Sequence, residues 1–207
     1  MLKPIMNTML IIQNSLYFLA LINPMSKVFI LSTLQPPCSR RMMVVISVRS
    51  TVVAFLILLV LMVCGDFLLH DVFRVDIYSL KVAGGLVLFL FGLTAVRRGR
   101  FFEETFSPKA TDISIVPLAV PLLAGPGTMT GAISFASEHG VILTAICVTL
   151  AMAINLVIML FSARIGKALE RMNATDPLIR ITGLIVATVA AQMILDGLGN
   201  WIRVYLQ

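Results

Sequence analysis

Charge is what this chain has least of. Lysine and arginine number 16 and aspartate and glutamate 10, so 13% of the 207 residues are charged, against roughly 25% in an ordinary soluble domain. That is too little to solvate a soluble surface. The three cysteines, Cys38, Cys64 and Cys147, are scattered, with no CxxC spacing and an odd count; this argues against a disulfide framework or a thiolate metal site and favours packing. There is no HExxH motif, no phosphate-binding Walker loop and no serine-histidine-acid set. His70 and His139 stand apart, and the acidic residues sit mainly in connections. An enzyme, a metal and a cofactor are therefore not expected.

What fills the space is apolar. Hydrophobic residues make up 59% of the chain and the mean hydropathy is +1.01. A helix needs about 20 apolar residues to cross a hydrocarbon core. Six such segments are read: Met9 to Thr33, Met42 to Cys64, Leu80 to Val96, Ile115 to Ser137, Val141 to Ser162 and Ile179 to Leu198. The first is too long for a secretory signal, is interrupted by "INPMSK", and has no small-residue cleavage pattern before Arg40. In a soluble protein the net charge of +6 would suggest a nucleic-acid partner. Here its placement suits a membrane and no nucleic acid is expected. Arg40 and Arg41, then Arg97, Arg98, Arg100 and Lys109, then Arg164, Lys167 and Arg171 occupy three alternate loops. The positive-inside rule makes those loops cytoplasmic and both termini external.

The chain also compares with itself. "LKVAGGLVL", from Leu80, aligns with "IRITGLIVA", from Ile179, pairing Lys81 with Arg180 and Gly84 with Gly183; nearly the same offset sets Asn23-Pro24 on Gly125-Pro126 and Ser26 on Thr128. The fold predicted is an all-α membrane protein of six transmembrane helices in two inverted three-helix repeats, about 1–98 and 114–207. A cytoplasmic linker, about 97–113, joins them. Three crossings per copy force the second to enter from the opposite side. Inverted repeats with a Gly- or Pro-interrupted helix in each half point to a transporter site near the bilayer midplane.

Helices 1 and 4 are expected to be broken there. Proline lacks an N–H and clashes with the carbonyl four residues back, so Pro24 frees the carbonyl of Ala20 and Pro126 that of Leu122. Each new half-helix starts with orphan donors and partial positive charge. The donors are Met25, Ser26 and Lys27 in one half and Gly127, Thr128 and Met129 in the other. A carboxylate suits such ends and an ammonium suits freed carbonyls, which together describe a small α-amino acid. Gly125 and Gly127 allow close backbone approach. Kinks also serve packing alone; matched positions in both halves favour the site. Its candidates are Asn23, Pro24, Met25, Ser26, Ala124, Gly125, Pro126, Gly127 and Thr128.

Other residues carry weaker signals. Lys27 follows the first break and lies near the expected cavity. Arg49, inside segment two, reads equally as a site residue or a snorkelling anchor. Asp196 in "QMILDGL" reads first as an interfacial carboxylate and is the leading candidate for proton coupling. Asn155 and Gln192 read as buried amides bonding between helices, and Gly183, Ala187 and Ala191, with Gly84 and Gly92, as close-packing faces.

"VPLAVPLLAGPGT" (from Val116), "INP" and "TGLIVATVAAQMILDGL" (from Thr182) resemble the MarC family of bacterial and archaeal inner-membrane proteins, also described as a small neutral amino acid transporter family. The resemblance covers essentially the whole chain. It implies a six-helix bundle and, for the characterised transporters, uptake of glycine, alanine and similar amino acids driven by an ion gradient; for this chain a proton is expected sooner than sodium. The partners are then the amino acid, the coupling ion and the lipid bilayer. The family motifs match at Asn23 and Pro24, and at Pro121, Ala124, Gly125, Pro126, Gly127 and Thr128. Where the family continues with a small residue and later a second proline, this chain has "MSKVFI", which brings Lys27 into or beside the site. Alternating access by rocking one triplet against the other is the leading mechanism. A channel-like or non-transporting membrane scaffold is the competing class.

Overall fold

The computed structural model describes residues 2–33, 40–99 and 123–206. Cys38, Arg100, Lys109, Pro121 and most of the linker lie outside the described residues, as does the start of segment four. Every described element is helical: α1 Leu2–Ile22, α2 Pro24–Thr33, α3 Arg40–Phe67 with a π-helical turn Leu68–Val72, α4 Ile77–Arg98, α5 Pro126–His139, α6 Val141–Leu160, α7 Ser162–Arg171 and α8 Thr175–Tyr205.

Among the described residues five helical spans are long and apolar enough to cross a membrane, against six expected segments: Thr8–Leu31 (α1 and α2 together), Arg40–Val72, Ile77–Arg98, Val141–Leu160 and Thr175–Val204. Of the fourth segment the described part is α5, whose 14 residues fall short of a span. The first span is 56% buried and the others 33% or less. The broken first span is thus the most buried of the five, and α5 likewise buries most of its residues. The others turn an apolar stripe outward, such as Val48, Val52, Leu56, Val60 and Val63 on α3. Such a face belongs against lipid.

The most extensive helix contact joins α4 to α8. They run antiparallel: a Cβ on Gly92 would lie 2.7 Å from Ala187 N and Gly183 O, one on Gly85 2.9 Å from Ala190 O, and one on Gly197 2.7 Å from Tyr78 O. Backbone meets backbone there because glycine removes the side chains between. Gly84 serves a different neighbour, Thr130 on α5. At the far end Gly99, at φ 65°, closes α4 in the left-handed conformation, and Arg180 donates to the carbonyls of Val96 and Arg97.

Several expectations are corrected. The basic connection after α6 is a helix, α7, burying Ser162 and Gly166 while Arg164, Lys167 and Arg171 stay exposed. Cys147 is buried and donates through Sγ to Ile11 O at 3.8 Å, but Cys64 is exposed and packs no core. Gln192 is exposed and donates to Asp196 on its own helix at 2.8 Å. Asn155 is buried as expected, yet its amide donates to the sulfur of Met159 one turn on. Both amides therefore bond within a helix, not between helices, because one turn brings i and i+4 together.

Candidate functional site

Both helices start on a proline, after residues of different backbone conformation. α1 ends at Ile22, Asn23 takes a left-handed φ of 52°, and α2 begins on Pro24. Gly125 caps α5 in an extended conformation and Pro126 is its first residue. Proline suits the first helical position because that N–H would be unpaired in any case. Asparagine suits the left-handed residue because its short polar side chain tolerates positive φ.

The antiparallel packing of α1 on α5 brings these ends toward one another. Tyr17 and Phe18 meet Phe135, with ring centroids 5.4 and 5.5 Å apart, and Leu21 lies 3.0 Å from where a Cβ on Gly131 would be. One further turn along that register leads to the end of α1 and the start of α5. Leu21, Ile22, Leu123 and Ala124 share one core cluster.

Around the breaks the side chains are sequestered. Asn23, Ser26, Ala124, Gly125, Gly127 and Thr128 are buried, whereas Pro24, Met25 and Pro126 are half-buried. Each donor set spends a backbone N–H on the residue that precedes its proline. Ser26 spends both N–H (3.2 Å) and hydroxyl (2.7 Å) on Asn23 O. The left-handed turn at Asn23 aims that carbonyl into the first turn of α2. In α5 Met129 N donates to Gly125 O at 2.8 Å. Among the described residues no such backbone acceptor takes the N–H of Gly127 or Thr128.

Lys27 is the largest departure from a polar surface residue. It is 1% exposed, and its ammonium donates to the carbonyl of Ile22 and, at 3.4 Å, to that of Asn23. Ile22 O is the last carbonyl of α1 and Asn23 O the next along the chain, at the end where the helix dipole is negative.

The remaining candidates are farther out. Arg49 is exposed on the outward face of α3, between Val48 and Val52. Met25 lines a small recess of about 30 Å³ with Gly166 of α7 and Leu178 of α8. Asp196 is exposed in an open recess of about 650 Å³ with Lys81, Glu138 and Arg203. In that recess lies a group the sequence reading missed: Lys81 Nζ is 2.6 Å from Glu138 Oε1, which also accepts from Ser134 at 3.2 Å. The available signal was Lys81 opening an apolar segment, noticed only as the counterpart of Arg180. At the opposite end Arg40 and Arg164 line one recess of about 260 Å³, so basic residues from two connections share one end. Asn155 Oδ1, Asn14 Nδ2 and Ser47 Oγ are buried without a hydrogen-bond partner among the described residues. No group of metal-ligating side chains occurs among the described residues.

Comparison with known proteins agrees with this architecture. Residues 8–202 match the MarC family integral membrane protein profile. A UPF0056 membrane protein of Pyrococcus horikoshii is 31% identical over 190 residues, 92% of this chain and 94% of the relative. The UPF0056 membrane protein YvbG of Bacillus subtilis is 32% identical over 196 residues, 86% and 89% of the two chains. The UPF0056 inner membrane protein YhgN of Escherichia coli K12 is 28% identical over 160 residues, 76% and 80%. No solved structure matches. A chain with this helical membrane architecture, matched over nearly its whole length, belongs to the MarC family of integral membrane proteins.

Proposed function

We propose that this protein is a secondary transporter of small neutral amino acids in the cell's inner membrane, working by alternating access around a site between the starts of α2 and α5. The observation that carries the reading is the pair of proline-initiated helices, at Pro24 and Pro126, whose flanking residues share one buried core. Helix starts of this kind inside a membrane protein are tolerated where protein or a water-filled cavity covers them, and they bind anionic groups. The amide groups of Gly127 and Thr128 suit a substrate carboxylate. The glycines on either side of Pro126 limit the substrate to a small side chain.

The same reading takes the chain as two inverted repeats of three spans, with the basic end cytoplasmic and both termini external. A proton gradient drives it, with Asp196 the coupling carboxylate at the outer mouth. The test is flux into liposomes. Saturable glycine, alanine or serine uptake under an imposed gradient supports the reading, and its absence under every gradient overturns it in favour of a non-transporting scaffold. A Pro126→Ala protein that transports normally would remove the role given to that break.

A further inference from the structure

We infer that the carbonyls ending α1 form a monovalent-cation seat, and that Lys27 fills it with its own ammonium. The seat rests on the geometry of Lys27 alone, and only its consequence for transport rests on the reading above.

The argument starts from the backbone. Pro24 cannot donate, and the N–H of Ser26 goes to Asn23 O in place of Ile22 O, so the end of α1 is left with carbonyls that the chain cannot satisfy in the helical way. Ile22 O and, beside it, Asn23 O, which already accepts from the N–H and hydroxyl of Ser26, point to one spot. It lies at the negative pole of a 21-residue helix, where positive charge is favoured. Asn23 is 8% exposed and Ile22 fully buried, so bulk water is a poor substitute there. Buried carbonyl oxygens at a helix break are the ligands that unwound membrane helices offer to small cations. Lys27 stands one turn into α2. Its side chain runs back across the break, against the usual preference of lysine to snorkel toward water.

An ammonium fixed in the chain cannot be exchanged. A transporter built this way has no need of a dissolved sodium ion at that seat, and a substrate amino group finds it occupied. The substrate is then held chiefly through its carboxylate at α5.

The test is a stability measurement on the purified full chain, in sodium, propylammonium and choline chloride at equal ionic strength, with n-propanol as the neutral control. Propylammonium is the part of the lysine side chain that alanine lacks. The wild type should unfold at one temperature in all of them. Lys27→Ala should unfold several degrees lower in choline, and regain most of that loss in propylammonium and part of it in sodium, but nothing in propanol. Lys27→Ser, whose hydroxyl offers sodium one more oxygen, should favour sodium further. Equal rescue by propanol would mean cavity filling and overturns the inference. So does absence of rescue, failure of both variants to fold in any of these salts, or sodium stabilisation of the wild type. A protein that passes this test and moves no amino acid upholds the seat and overturns the transport reading.

Discussion

Lys81 Nζ and Glu138 Oε1, 2.6 Å apart, tie α4 to α5 across 57 residues of sequence, at the end of the molecule opposite Arg40 and Arg164. The lysine side chain is 13% exposed and the glutamate 43%, so water screens the pair from one side. A double-mutant cycle with Lys81→Met and Glu138→Gln should give a coupling of about 0.5 kcal/mol, within the range of partly exposed pairs. It should shrink at high salt. Thermal unfolding of the four proteins checks it, and a coupling near zero would mean that the contact does not hold the two helices.

The α4–α8 seam gives a sharper mutational contrast. Alanine is favoured over glycine in a helix by about 1 kcal/mol, yet a Cβ at Gly92 would sit 2.7 Å from backbone atoms of α8. Backbone cannot rotate away as a side chain can, so Gly92→Ala should cost a net 1–2 kcal/mol, roughly, through separation of the helices. Gly199→Ala, with nothing within 4 Å of the added carbon, should be neutral or slightly stabilising. Equal effects at both positions would contradict the seam.

At Gly127 the added carbon would meet the Leu88 side chain at 2.7 Å, and that side chain can shift. Gly127→Val should therefore fold, while its branched side chain crowds the α5 start. Under the proposed function flux should drop at least about tenfold, which corresponds to a loss of about 1.4 kcal/mol. Flux at wild-type rate in a folded Gly127→Val protein would move the substrate away from α5.

Asn155 buries an amide oxygen without a partner among the described residues, an arrangement that costs stability. Asn155→Leu, which keeps the branching of the side chain and removes its polar atoms, should keep the unfolding temperature or raise it. If the amide serves function, flux falls while stability does not. A destabilised Asn155→Leu protein would show that the amide is structurally satisfied.

Much of this was legible because the chemistry is local. Hydropathy marks the spans since lipid tolerates little else, and Pro24 and Pro126 mark helix starts since proline cannot be an interior donor. What failed depends on position in three dimensions. Lys27 has the composition of a snorkelling residue, and only the fold reveals the carbonyls of Ile22 and Asn23 within its reach. Lys81 gave no hint of a partner on a helix 57 residues away. Ser162–Arg171 reads as a basic loop until its buried Ser162 and Gly166 are seen to form the inner face of a helix. Gln192 sits in an apolar window, and hydropathy does not say which side of a helix faces out.

The glycine seam has a mechanical meaning. α4 comes from the first half of the sequence and α8 from the second, and their backbones approach closely at Gly92, Gly85 and Gly197, with only backbone atoms facing Gly92. Two helices joined this way resist sliding past one another. Under the proposed alternating access, the α4–α8 pair would move as a body against the α1, α3 and α6 group, and that body draws on both halves of the chain, not on one triplet.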